Sequence, residues 1–241
     1  MTETNHLLVR LEPGRIERKK LLERLAQARQ KKCVLIHGPA GSGKTSLALQ
    51  WRAQALAFGQ DVAWLTVQPG DDGRFLPEPL FESLDRVDPS LSHEARLLYN
   101  RGGKMRGDAI AIALLRALLA RSRPLWLVID DWQNVTDAQA NGLLQTLLDF
   151  APPALHLLMV SRSVPELSLA RLRDQGLLEE LGPAELRFSL DEVQQFMQAR
   201  PPRHAGAVDA RKLLEITDGW AAGLQLLALQ PRAPASPVQN A

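Results

Sequence analysis

Cysteine is almost missing from this chain: Cys33 is the single one in 241 residues. An internal disulfide is therefore excluded, and a reducing, cytoplasmic setting is the expectation. Cys33 itself lies in an apolar run and reads as a small buried hydrophobe. The five histidines, His6, His37, His93, His156 and His204, stand at no metal-ligand spacing to one another or to Cys33, which argues against a structural zinc site. An excess of either charge is lacking too. Lys and Arg number 29 against 27 for Asp and Glu, and a net charge of +2 is too small for a nucleic-acid footprint. Direct DNA binding by this chain is not expected.

Long apolar runs are also absent. "AIAIALLRALLA" is broken by Arg116 and is too short to span a bilayer. The opening "MTETNHLLVRLEPG" has no basic segment followed by an apolar stretch, so no signal peptide is read there. What is present is a globular composition, 45% hydrophobic and 23% charged. The length suits one large α/β domain with a small appendage and needs no covalent staples. The basic cluster Arg15, Arg18, Lys19 and Lys20, beside Leu21, Leu22 and Leu25, reads as the solvated face of an amphipathic helix.

Apolar runs bounded by turn residues alternate with helical patterns, the signature of βα units and a parallel sheet. Strands are predicted at about 33–37, 61–67, 125–130 and 155–161, with a fifth inside 177–188. Helices are predicted at 16–29, 45–58, 75–85, 109–122 and 137–150, from Leu and Ala recurring at steps of three and four. The stretches 68–75 and 88–108, rich in Gly, Pro and charge, read as rim loops. At "FSLDEVQQFM" the pattern becomes helical only, with Ser189 and Glu192 spaced as a capping box. The expected organisation is an N-terminal segment and helix over 1–30, a large α/β domain over 31–188, a small helical domain over 189–230 and a tail or linker over 231–241.

"GPAGSGKT", Gly38 to Thr45, fits G-x-x-x-x-G-K-S/T between an apolar strand and a helix, the context this phosphate-binding loop requires. Its glycines let backbone N–H groups turn toward a phosphate, and the dipole of the next helix adds attraction. Gly38, Pro39, Ala40, Gly41, Ser42, Gly43, Lys44, Thr45 and Ser46 are the phosphate-site candidates. Lys44 would reach the β- and γ-phosphates, and the Thr45 hydroxyl would face Mg²⁺. "LWLVIDD" supplies Asp130 as the second Mg²⁺ group, through the ion's water shell. Asp131 is a candidate for orienting the attacking water, or else performs turn and cap chemistry. Arg162, ending "LLMVSR", reaches toward a γ-phosphate if its strand lies beside that of Asp130; otherwise it is a surface charge. His37 is given no role.

These residues resemble a known family, the nucleotide-binding domains of MalT-like, large LuxR-type ATP-binding transcription regulators in the STAND class of P-loop ATPases. The resemblance rests on "GPAGSGKTSLALQW", "DGRFLPEPLFESL", "LVIDDWQNVTD", "LLMVSRSVPELSLARLRDQGLLEEL", "FSLDEVQQFM" and "ITDGWAAGLQLLAL", in that order. It implies a three-layer P-loop NTPase fold of the α/β class, with a parallel sheet flanked by helices and followed by a small all-helical domain that closes over ATP or ADP with Mg²⁺. It implies phosphate and Mg²⁺ roles for Lys44, Thr45 and Asp130, and a γ-phosphate-sensing role for Arg162. It also implies adenine contacts for Val9, Arg10 and Arg18, and places Gly219 and Trp220 facing the nucleotide, where a helix start with a core tryptophan is the alternative reading. Self-association with ATP is implied for the full regulator, and this chain is read as a fragment of one or a short stand-alone relative.

The function expected from these features is an ATP/ADP switch with slow hydrolysis. Its rivals are a P-loop kinase acting on a small molecule, with Arg96, Arg101, Lys104 and Arg106 on a lid, and a nucleotide-dependent interaction protein that does not hydrolyse. A DNA-driven motor is disfavoured by the charge.

Overall fold

In the computed structural model, residues 16–69, 76–101, 107–199 and 209–229 are described. Among them β1 (Cys33–His37), β2 (Asp61–Thr66), β3 (Leu125–Asp130), β4 (Leu155–Ser161) and β5 (Leu178–Leu181) form one sheet in the order β2-β3-β4-β1-β5. Every pairing is parallel. The strand residues alternate between two cores, as the two-residue period of a pleated strand demands. Leu35, Leu127, Ile129, Leu157 and Met159 face one side. Val34, Ile36, Trp126, Val128, Leu158 and Val160 face the other.

The first side is covered by α3 (Pro77–Asp85), α4 (Ser90–Asn100), α5 (Gly107–Leu119) and α6 (Ala138–Asp149). The second is covered by α1 (Lys19–Gln27) and α2 (Lys44–Ala57), where Trp51 meets Trp126 edge to face with centroids 4.9 Å apart. Three layers result, as the sequence led us to expect. Cys33 is fully buried in this sheet, and desolvation, followed by the nearby Glu180 charge, pushes its thiol up to about 12. Such a thiol is inert.

One reading is corrected. The stretch 88–108, taken as a loop, contains α4, whose Leu91 and Ala95 are buried and whose Leu98 packs partly against the core, an i, i+4, i+7 face. Ser, His, Glu and Arg between these positions diluted the pattern. The short helices α7 (Ala170–Asp174) and α8 (Pro183–Leu186) also went unread.

After β5 and α8 the chain turns into α9 (Leu190–Ala199), α10 (Ala210–Thr217) and α11 (Ala221–Leu229), which gather around a separate cluster of Val193, Phe196, Ala210 and Leu224. The capping box forms: the Ser189 N–H donates to Glu192 Oε2 at 2.9 Å, and the Glu192 N–H to Ser189 Oγ at 3.4 Å. Ile16 and Phe188 pack against this cluster, so the segment before α1 belongs to both parts of the molecule.

Arg18 is the clasp between them. Its Nε donates to Glu192 Oε1 at 2.9 Å, and its terminal nitrogens donate to the carbonyls of Leu186 and Arg187 at 3.0 Å each. The guanidinium also lies 4.3 Å from the Phe188 ring centroid, while Gln50 on α2 accepts the Arg18 N–H at 3.1 Å. Arg18 is 4% exposed, so removing it deprives Glu192 Oε1 and the Leu186 and Arg187 carbonyls of a buried donor. Arg18→Ala is expected to lower unfolding stability by about 2–5 kcal/mol, the range for breaking one side of a buried ion pair. Urea denaturation of the parent and variant checks it.

Candidate functional site

The loop after β1 turns at the C-terminal edge of the sheet and feeds α2. Gly41 and Gly43 take left-handed backbone angles (φ 73° and 87°), open to glycine without strain. The Pro39 carbonyl accepts from Lys44 Nζ and from Ser42 Oγ, both at 2.9 Å. Lys44 thus lies folded along its own loop, 7% exposed. Desolvation, then the charge of Arg162, holds its ammonium below the usual lysine range, with Asp131 and Asp130 opposing. The first turn of α2 also presents N–H groups that lack intrahelical acceptors by geometry. Ser46 lies half-buried in that turn.

Asp130, at the end of β3, accepts from the Thr45 hydroxyl at 3.2 Å and from the Asp131 N–H at 3.0 Å. It is buried, and desolvation, then the Asp131 charge, pushes its carboxyl up to about 6 against the pull of Thr45 and Lys44. A desolvated carboxylate next to a hydroxyl is a hard-oxygen pair short of positive charge, which fits Mg²⁺. That ion keeps most of its ligands as water and phosphate, so few protein donors are required. Among the described residues no group of three or more His, Cys, Asp or Glu forms a metal cage.

Asp131 adopts a left-handed backbone (φ 57°, ψ 39°) and begins the tight 3-10 turn Trp132–Asn134. Turn chemistry and placement at the site therefore coincide in one residue. β4 lies beside β3, which satisfies the condition set for Arg162, and the Arg162 charge is felt at Lys44. Its backbone N–H donates to Gln133 Oε1 at 2.9 Å. Next to it the Ser161 hydroxyl is buried with no hydrogen-bond partner among the described residues.

The small helical part sits directly on this loop. Trp220 Nε1 donates to the Ala40 carbonyl at 3.1 Å, and the Ala222 N–H donates to the Gly41 carbonyl at 3.0 Å. Trp220 is therefore neither a core anchor nor free: it is 42% exposed and caps the phosphate loop. Gly219 brings the chain against Phe188, whose N–H donates to the Gly219 carbonyl at 2.8 Å and whose oxygen a Cβ at Gly219 would meet at 2.6 Å. Arg18, for which the resemblance implies an adenine contact, has its guanidinium bonded to Glu192 and to the Leu186 and Arg187 carbonyls. Val9 and Arg10 lie outside the described residues. Sequence reasoning missed Gln133, Ala222 and Glu192 as site or clasp partners; only the position of Gln133, two residues after Asp131, offered any signal.

Known proteins agree with this layout. The AAA ATPase domain family matches residues 15–160. Serine/threonine-protein kinase PknK of Mycobacterium tuberculosis is 34% identical over 219 residues, 90% of this chain and 20% of that protein. HTH-type transcriptional regulator MalT of Klebsiella pneumoniae is 31% identical over 234 residues, 96% of this chain and 25% of that protein. The chain spans about a fifth to a quarter of the length of these curated relatives. The crystal structure of a Signal Transduction ATPase with Numerous Domains (STAND) protein with a tetratricopeptide repeat sensor, from Pyrococcus horikoshii, shares the fold. Its TM-score is 0.64 at 20% identity, over 92% of this chain and 31% of that one.

The Asp130 carboxyl generates a stability prediction. Its folded value of about 6 exceeds the ordinary 3.8, so the folded state favours the protonated form. Stability is lost as pH rises between those two values and stays lost above them. Without nucleotide and metal, Asp130→Asn is expected to melt higher than the parent at about pH 7.5, by about 2–4 °C for each kcal/mol relieved, and equally near pH 4. Thermal melts at the two pH values measure this.

Proposed function

This chain belongs to the AAA ATPase domain family, and from that premise we propose that it is the ATP/ADP-binding switch module, with slow ATP hydrolysis, of a signal-transducing transcription regulator. The observation that carries this reading is the pair of hydrogen bonds from Trp220 and Ala222 to the Ala40 and Gly41 carbonyls. A helical lid bonded to the phosphate loop itself moves with the state of that loop. Two neutral hydrogen bonds of about 1 kcal/mol each are weak enough for a ligand to outbid. An oligomeric active form of the whole regulator and a cytoplasmic location complete the proposal.

In this reading the backbone N–H groups of Gly41 to Ser46 and the Lys44 ammonium hold the phosphates. Thr45 and Asp130 would hold Mg²⁺, which when bound neutralises phosphate charge and screens the two acids. Lys44 leaves the Pro39 carbonyl for the phosphates. Asp131 orients water, and Arg162 reports the γ-phosphate. ADP lacks the γ contacts, so the two nucleotides bias the hinge at Phe188 differently. Of the four residues that the kinase alternative places on a lid, Arg96 is instead held by Glu78 at 2.6 Å and Asp85 at 2.7 Å, while Lys104 and Arg106 lie outside the described residues.

Two measurements test the reading. Denaturing the purified chain and chromatographing what it releases should yield ADP from the parent and none from Lys44→Ala, with added nucleotide bound at least about tenfold more weakly by the variant, the scale of one charged hydrogen bond. A parent that is empty and takes up neither ADP nor ATP refutes it. Gly219→Ala, which forces a Cβ into the Phe188 backbone, should open the lid. Hydrogen exchange at the Phe188 and Ala222 amides should then quicken about tenfold or more while the sheet amides of β3 and β4 stay protected.

A further inference from the structure

Gln133 Nε2 donates to Asp131 Oδ1 at 2.8 Å, and Gln133 Oε1 accepts the Arg162 N–H at 2.9 Å. We propose that Gln133 is a positioning residue whose carboxamide holds the Asp131 carboxylate and the backbone of Arg162 at one fixed separation, so that the acid and the arginine address the γ-phosphate together. The inference rests on the switch reading.

The chemistry of the two partners selects this side chain. A carboxylate only accepts hydrogen bonds and a backbone N–H only donates, so the bridging group must donate on one side and accept on the other. A carboxamide does both from a planar unit, and its orientation is set by the partners rather than by choice. A carboxylate in its place keeps the arm to Arg162 but turns a donor into a second negative charge facing Asp131.

The mounting is rigid on both sides. Trp132, next to Gln133, is buried in the larger core. Asn134 Nδ2 donates to the Val67 carbonyl at 2.8 Å, and the Asn134 N–H to the Asp131 carbonyl at 3.0 Å. The last paired residues of β3 and β4 are Ile129 and Met159. Beyond them the ladder stops, and the Gln133 amide ties the ends together where strand pairing no longer does. The positive φ at Asp131 aims this turn back at the arginine, and non-glycine residues held there concentrate at functional sites. The Arg162, Asp131 and Asp130 charges all act on Lys44, so the bridge lies within one charge cluster.

The test compares the full chain with Gln133→Ala, Gln133→Glu, Arg162→Ala and the double variant Gln133→Ala/Arg162→Ala. ADP affinity, the affinity of a non-hydrolysable ATP analogue with Mg²⁺, and kcat for ATP hydrolysis are measured for each. Both Gln133 variants should keep ADP affinity within about twofold, while analogue preference over ADP and kcat fall about fivefold to tenfold, the scale of one hydrogen bond. In analogue preference over ADP the loss in the double variant should fall short of the sum of the two single losses, because part of the Gln133 effect passes through the Arg162 side chain. Parent-like preference and kcat in Gln133→Glu, or fully additive losses of that preference in the double variant, overturn the inference while leaving the switch reading standing. Gln133→Glu preserves shape, so it decides the matter should Gln133→Ala unfold. A parent that does not distinguish the analogue from ADP defeats the switch reading and this inference with it.

Discussion

Two backbones meet at Gly41, and the rest of the site depends on how closely they do so. A Cβ at that position would stand 2.6 Å from the Ala222 Cβ and 3.2 Å from the Trp220 ring. Only a residue without a side chain lets the Ala222 N–H reach the Gly41 carbonyl. The same glycine supplies the left-handed turn that a phosphate loop uses to gather its N–H groups. One position thus carries both the turn of the loop and its contact with the small helical part.

The charges of the site are poised by burial. Desolvation raises the Asp130 carboxyl and lowers the Lys44 ammonium, so each is held away from its ordinary range in the direction that weakens its charge. The cost of burying both charges is thus built into the fold. On the far side, the clasp of Arg18, Glu192 and the Leu186 and Arg187 carbonyls links α2 through Gln50 to α9.

Strands, their flanking helices and the phosphate octet were legible because each is written in neighbouring residues: alternation over five or six positions, glycines within one loop, a capping box over four residues. The helix α4 was less so, since its buried Leu91 and Ala95 are separated by polar residues that a composition reading counts as loop. The partners of Arg18 were not legible at all; Glu192 lies 174 positions away, and the basic residue beside leucines read as a solvated helix face.

The sequence by itself determined the alternating strands and helices of a parallel sheet, the glycine-rich loop after β1 and the acid pair at the end of β3, because periodicity and motif spacing act over a few residues and need no knowledge of the rest. Only the tertiary structure decided that β4 borders β3, that Trp220 and Ala222 close on Ala40 and Gly41, and that Gln133 spans Asp131 and Arg162. Those contacts join groups far apart in the chain, and a hydrogen bond needs its donor and acceptor about 3 Å apart in the folded molecule, a condition that no local pattern encodes.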